Sequence, residues 1–173
     1  LVGRGFISAD GATCTSGGCG GGGRVAVKLM GAGATFETFS KDRVSAAGKW
    51  SGGTTSFCGP LYFETPADDG EGELVVRGTD ATMAQVDYSI NYVLSTQLKD
   101  PTDDYTFSRI VLSNSAVLGF ESNVAITNLL EIQTATHGKS DWSPLSVTNV
   151  VRSFISSPGP MPSAAVAIDG SVK

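Results

Sequence analysis

The stretch "FISADGATCTSGGCGGGGRVAVKL" (residues 6–29) decides the fold, because a second stretch has the same order of residue types. The counterpart is "RVSAAGKWSGGTTSFCGPLYFE" (residues 43–64). Each unit has an apolar residue, Ser-Ala-x-Gly, a turn rich in Gly, Ser and Thr, Cys-Gly and then a strand. The apolar anchors Ile7 and Val44 lie 37 positions apart. A repeat of this length is typical of stacked architectures, in which each unit buries its apolar face against the next.

Short alternating stretches recur along the rest of the chain. In residues 24–29, Val25, Val27 and Leu29 fall on one face, which indicates a strand. The same reasoning predicts strands at residues 60–63, 73–77, 109–112, 117–120, 124–127, 130–134, 145–147, 152–155 and 165–168. We therefore expect a single all-β domain over residues 1–173. Residues 1–78 hold the two glycine-rich units, and residues 79–173 hold further rungs or an irregular β section.

Two all-β architectures fit these strands. A parallel β-solenoid (β-helix) is favoured, because the units repeat and cannot bury their own faces. In a solenoid the glycine run at residues 17–23 is a corner, where glycine allows a positive φ and close backbone approach. The alternative is an antiparallel β-sandwich, in which residues 88–94 and 107–112 pair across the turn "KDPTDD".

Composition narrows the classes of function. The chain has 173 residues and a formal charge of −5, and its basic residues are scattered, which argues against a nucleic-acid partner. No apolar run is long enough to span a membrane. Few charged residues and many Gly, Ser and Thr are common in secreted β-proteins. We therefore expect an extracellular or cell-surface location and no membrane span.

The three cysteines allow one disulfide and leave one thiol. Stacking of the two units would bring Cys19 close to Cys58, because neighbouring strands lie about 4.8 Å apart and disulfides span similar Cα distances. We predict a Cys19–Cys58 bridge. The rival is a local loop closed by Cys14 and Cys19.

Two short motifs match catalytic or cofactor-binding patterns, but neither has the neighbouring secondary structure that the pattern requires. Residues 18–23, "GCGGGG", match GxGxxG, but that fingerprint must open a helix and here a strand follows. "GGCGG" around Cys19 has the spacing of a nucleophile elbow, but that motif needs a helix after it and a histidine base within reach. A strand follows here, and the chain has a single histidine, His137. We assign no catalytic residue and expect a protein that is not an enzyme.

Two acidic loops and one tryptophan are the remaining binding candidates. Short acidic loops can supply the oxygen ligands that Ca²⁺ prefers, so calcium is the one cofactor considered, although solvated turns are the favoured interpretation. Trp50 lies in a loop and could form an aromatic platform for a sugar. The acidic candidates are Asp68, Asp69, Glu71, Asp100, Asp103 and Asp104.

The two units, followed by "GELVVRG" (residues 72–78), resemble glycine-rich repeats of very large microbial surface and secreted proteins. The resemblance covers about residues 3–78. It implies a parallel β-helix in an extracellular scaffold, stalk, adhesin or filament. The expected partners are copies of the protein or neighbouring domains of a larger surface protein. Cysteines are not part of that pattern.

Two other functions remain open. One is a carbohydrate-active β-helix enzyme of the polysaccharide-lyase type, which needs calcium-binding acids beside a basic residue. Lys99 and Arg109 flank the acidic stretch "DPTDDY" and would be the basic residues. The other is a module that binds glycans or a surface.

Overall fold

The computed structural model describes most of the chain in segments. They are residues 2–13, 15, 19–51, 54–56, 58–77, 96–98, 104–113, 116–120, 124–134, 138–142, 145–156 and 166–172. Within them lie fourteen strands and two 3-10 helices, Lys41–Arg43 and Pro66–Asp68, and no α-helix. The strands are β1 Ile7–Ser8, β2 Val25–Lys28, β3 Val44–Ser45, β4 Trp50–Ser51, β5 Thr54–Thr55, β6 Pro60–Glu64, β7 Glu73–Arg77, β8 Thr96–Leu98, β9 Tyr105–Ser113, β10 Val117–Phe120, β11 Val124–Thr134, β12 Gly138–Trp142, β13 Leu145–Ser156 and β14 Val166–Val172.

The described strands form one large mixed sheet and two small sheets. The large sheet runs in the order β2-β6-β7-β9-β11-β13-β10-β8, with β12 paired to β11 and β14 paired to β13. Strands β2 and β6, β7 and β9, and β9 and β11 pair in parallel, whereas β6 and β7 are antiparallel. The fold is therefore all-β, as the alternating sequence predicts.

Equivalent residues of the two glycine-rich units lie side by side. Strands β1 and β3 are parallel and pair Ile7 with Val44. Strands β2 and β6 are also parallel and pair Val25 with Leu61. The backbone offset between the units is thus 37 residues at the first pair of strands and 36 at the second. At both pairs of strands, residues of the first unit therefore lie beside the equivalent residues of the second unit.

Backbone hydrogen bonds inside the two units are also equivalent. The Gly23 N–H donates to the Ala9 carbonyl oxygen at 2.7 Å, and the Gly59 N–H donates to the Ala46 carbonyl oxygen at 2.8 Å. Between the units, the Ala9 N–H donates to the Ser45 carbonyl oxygen at 2.8 Å. The repeat in sequence is therefore a repeat in local structure.

Close backbone approach explains the glycines at this contact. A Cβ atom on Gly59 would lie 1.5 Å from the Gly23 carbonyl oxygen, and one on Gly22 would lie 1.8 Å from the Ala46 carbonyl oxygen. Of the described glycines, only Gly3, Gly33 and Gly70 have a positive φ. At positions 22 and 59 glycine is needed for space and not for a left-handed backbone.

The large sheet buries apolar side chains on both faces. One cluster lies on the face of Leu74, Val76, Ile110 and Leu112. Alternation along the same strands places Leu61, Phe63, Val75 and Val111 in a second cluster, on the opposite face. Both clusters contain side chains that are less than a tenth exposed. At about 25 cal/mol per Å² of buried apolar area, this burial is the main term that stabilises the fold.

The segment before β3 covers the second cluster. Phe39 is buried in that cluster beside Val44, the first residue of β3, and the ring of Phe36 meets Phe63 edge to face with centroids 5.5 Å apart. The Lys41 ammonium group forms an ion pair with the Glu73 carboxylate on β7. The chain between β2 and β3 is therefore fixed over the sheet by apolar packing and by charge.

The second half of the chain departs from simple stacking. Strand β13 pairs antiparallel with β10, β11 and β14, which fits the irregular β section better than further parallel rungs. Residues 138–142, where the sequence predicts no strand, form strand β12, which pairs antiparallel with β11. The sandwich partner at residues 88–94 lies outside the described residues. In the described segments, no helix has the length and apolar character needed to cross a membrane.

Candidate functional site

The first glycine-rich unit presents a strand edge, which we call the outer edge: Phe6, strands β1 and β2, and Met30. Among the described residues, β1 pairs only with β3 and β2 pairs only with β6. The other side of both strands therefore meets no described strand. Phe6 is 78% exposed, Ile7 36% and Met30 86%. Strand edges with exposed apolar side chains are sites where another strand can add.

A carboxylate in the first unit holds the second unit. Asp10 Oδ1 accepts hydrogen bonds from the Ser45 hydroxyl and, at 2.8 Å, from the Ala47 N–H. Lys49 Nζ lies 3.5 Å from Asp10 Oδ2. Partial burial raises the pKa of Asp10, but the bonds from Ser45 and Ala47 and the charge of Lys49 outweigh it, so the pKa lies below its ordinary value of 3.8. Asp10 is therefore an anionic link between the units.

A concave surface lies across the large sheet at strands β2, β6, β7 and β9, and we call it the aromatic groove. Its volume is about 520 Å³, and its lining includes Tyr62, Tyr105 and Phe107. The Tyr105 and Phe107 rings are parallel, with centroids 6.2 Å apart, and Tyr62 meets Phe107 at 64°. Arg24 and Asp104 also line the groove. Its volume falls within the range of about 300–1,000 Å³ that is typical of ligand pockets.

Polar contacts fix Tyr62 in the wall of this groove. Its hydroxyl donates to Glu64 Oε2 at 2.8 Å and accepts from the Gly72 N–H at 3.0 Å. The Lys28 ammonium lies 5.3 Å from the centre of the Tyr62 ring. Burial and the hydrogen bond to Glu64 raise the pKa of Tyr62 to about 12. The phenol therefore stays neutral at physiological pH.

Glu64 is held by two partners. Lys28 Nζ lies 2.7 Å from Glu64 Oε2, and the ion pair joins neighbouring strands at paired positions. The hydrogen bond from Lys28, followed by that from Tyr62, holds the pKa of Glu64 below its ordinary value. Glu64 remains ionised and orients the Tyr62 hydroxyl.

The predicted Cys19–Cys58 bridge is wrong. Cys19 is a disulfide cysteine, whereas Cys58 is a buried thiol. The physical reason is the register of β2 on β6, whose pairs from Val25 and Leu61 to Lys28 and Glu64 are offset by 36 residues. Cys19 and Cys58 are 39 positions apart, three more than this offset, which corresponds to about 10 Å along an extended chain and is too far for a disulfide. In the rival loop, Cys14 lies outside the described residues.

The structure does not bring the described acidic candidates together. Asp68 accepts from the Thr65 N–H and hydroxyl as part of a capping box, and Asp69 ends that helix with a φ of 48°. Glu71 Oε2 accepts from the Thr127 hydroxyl at 3.1 Å. Among the described residues no three His, Cys, Asp or Glu side chains are placed to hold a metal ion. Asp100 and Asp103 lie outside the described residues, and Asp104 is exposed beside the aromatic groove.

The other sequence candidates are placed only in part. Trp50 belongs to the short strand β4, which pairs antiparallel with β5, but its side chain lies outside the described part. Lys99 and His137 lie outside the described residues. Arg109 Nε lies 3.7 Å from Glu73 Oε1, so it faces the ion pair over the second cluster. The glycines at residues 20–23 lead into β2 and contact backbone of the two units.

Sequence reasoning missed the aromatic groove. Tyr62 and Tyr105 are distant in sequence, and both rings lie against Phe107 because β6 and β9 both pair with β7. The only signal in the sequence is the pair of aromatic residues at alternate positions, Tyr105 and Phe107, at the start of a strand.

The comparisons with known proteins return no relative. No protein family, no curated protein and no solved structure matches this chain.

Proposed function

We propose that this protein is an extracellular structural module, built on a parallel β-solenoid at its glycine-rich units, that assembles by stacking of strand edges. The observation that carries the proposal is the outer edge. One side of β1 and of β2 pairs in parallel with β3 and β6 of the second unit, and the other side of both strands faces no described strand. A further unit of the same kind would find the same spacing of strands. The resemblance to repeats of surface proteins supports the extracellular location.

The exposed side chains favour addition of a strand at this edge. Phe6 and Met30 each expose more than three quarters of their surface. Burial of such a side chain contributes about 1.5–3 kcal/mol. Natural edges that must stay single usually carry charge or proline, and β1 has neither at Ile7 or Ser8. Strand β2 carries Lys28, whose ammonium pairs with Glu64 of β6. Strand β1 therefore lacks the usual protection against pairing.

The partner that fits this edge is another glycine-rich unit, in a copy of the protein or in a neighbouring domain. Contacts that pass from one unit to the next without closing produce a filament. The glycine contacts at Gly22 and Gly59 show how closely two such units approach. An unrelated strand with side chains at those positions would be held further away, so the edge selects for its own repeat.

The test is sedimentation velocity across a concentration range, together with negative-stain electron microscopy. We expect the wild-type protein to form larger species of one width as its concentration rises. Phe6→Lys places a charge on the outer edge and should keep the protein monomeric. Ala67→Lys adds the same charge at an exposed position in the second 3-10 helix and should assemble like the wild type. Monomeric wild-type protein at all concentrations would overturn self-assembly.

A further inference from the structure

The aromatic groove has the size and shape of a site for an extended ligand. Its volume of about 520 Å³ lies within the range of known ligand sites, about 300–1,000 Å³. Four strands contribute to it, and Leu74 of β7 forms part of its apolar floor. It opens on a face of the sheet, and it shares strand β2 with the outer edge, because Val25 and Ala26 line it. Addition of a strand would use the backbone groups of β2, whereas a ligand in the groove would contact side chains.

The rings supply an apolar surface with a fixed geometry. Tyr105 is partly exposed, and its ring is parallel to the buried ring of Phe107. Tyr62 is held by Glu64 and by the Gly72 N–H. Because rigid aromatic side chains lose little conformational entropy on binding, they are efficient binding surfaces. The C–H groups of a sugar ring pack against such faces.

The polar residues of the groove favour a neutral ligand. Arg24 and Asp104 are both exposed and both line the groove. A hydroxyl group donates and accepts hydrogen bonds, so a polyhydroxyl ligand can bind to the guanidinium and to the carboxylate. The two charges are opposite, so an acidic or a basic polymer would be attracted by one of them and repelled by the other, with no net electrostatic gain.

We propose that the aromatic groove binds a neutral oligosaccharide chain, with Tyr105 as the stacking surface and Arg24 and Asp104 as hydrogen-bonding residues. This site adjoins the outer edge at β2 but is formed by side chains of one chain, so it does not depend on assembly. With this site, the structural module would also attach to a polysaccharide. No reaction is involved, and Tyr62 acts as a rigid wall that positions the sugar.

Affinity gel electrophoresis with soluble polysaccharides tests the site. The panel contains neutral β-glucan, xylan and mannan, acidic polygalacturonate and basic chitosan. We expect retardation by at least one neutral polymer and none by polygalacturonate. Chitosan controls for non-specific attraction to a chain of formal charge −5, so any retardation by it should be the same for wild type and Tyr105→Ala. Tyr105→Ala should weaken that binding by about tenfold or more, because it removes the stacking surface. Asp104→Asn should weaken neutral binding less, because the amide still forms hydrogen bonds.

Phe6→Lys is the matched control, since it changes an exposed aromatic residue outside the groove. It should retain the affinity of the wild type for the neutral polymer while losing assembly. Tyr105→Ala should assemble normally, so failure of one proposal does not imply failure of the other. Circular dichroism establishes that each variant is folded. Lack of binding to every neutral polymer, binding only to a charged polymer, or equal binding by folded Tyr105→Ala would each overturn the proposed site.

Discussion

The carboxylate of Asp10 accepts a hydrogen bond at 2.8 Å from the N–H of Ala47, the residue that occupies the same place in the second unit. Both residues are the variable position of Ser-Ala-x-Gly. Asp10 thus links its own unit to the equivalent position of the next. Because the bond is charge-assisted, it is stronger than a bond between neutral groups.

Asp10→Ala should lower the free energy of unfolding by about 1 kcal/mol, a value reduced for the partial exposure of the carboxylate. The reason is that the Ala47 N–H and the Ser45 hydroxyl lose their acceptor. Urea denaturation measures the change. Glu37→Ala is the control, because it removes an equal charge from an exposed side chain. Equal loss in both variants would assign the effect to net charge and not to the link.

Acid should weaken the same link. The pKa of Asp10 is lower in the folded protein than its ordinary value of 3.8, so its contribution to stability is present above that value. It is lost as the pH falls through the lower, folded pKa. The stability difference between wild type and Asp10→Asn should therefore shrink below about pH 4. A difference that stays constant from neutral pH to pH 2 would contradict the role of the ionised carboxylate.

Gly59→Ala should be strongly destabilising, because its Cβ would lie 1.5 Å from the Gly23 carbonyl oxygen. Backbone atoms must shift to relieve this overlap, at a cost of about 2–3 kcal/mol or more. Thermal unfolding followed by circular dichroism measures the loss. Gly5→Ala is the matched control, because a Cβ there meets no atom within 4 Å. A neutral effect at position 59 would refute the close approach of the two units.

Tyr62 should be the tyrosine that ionises at unusually high pH. Its pKa is about 12, because burial and Glu64 disfavour the phenolate. Ultraviolet titration of the folded protein should show a late phase that is absent in Tyr62→Phe. The variant should also lose about 1–3 kcal/mol of stability, because the Gly72 N–H loses its acceptor. Titration of all tyrosines near pH 10, with the fold intact, would argue against this environment.

Much of the β structure was predictable from residues that alternate locally. Residues 73–77 and 117–120 are strands with the predicted bounds, because each strand has its own local pattern of apolar residues. Strand β12 has no such pattern, since its residues are "GKSDW", and it forms by pairing with β11. Local alternation therefore predicts strands better than it predicts their partners.

The candidate sites were less predictable, because they depend on register and on contacts distant in sequence. Cys19 and Cys58 are 39 positions apart, three more than the register offset of 36 residues between β2 and β6, so the strands do not place them side by side. The aromatic groove joins Tyr62 to Tyr105 through the order of strands in the sheet. Neither relationship is encoded in one stretch of the chain.

The central claim is that equivalent residues of the two units lie side by side, and an engineered disulfide tests it most directly. Ser8 and Ser45 are register partners on β1 and β3. Neighbouring strands have a Cα separation of about 4.8 Å, which a disulfide can span. The variant carrying Ser8→Cys and Ser45→Cys should therefore form this bridge on oxidation, as detected by peptide mass spectrometry. The control with Ser8→Cys and Ser40→Cys should not form one. Failure of the first pair to bridge, or equal bridging in both, would contradict the stacked repeat.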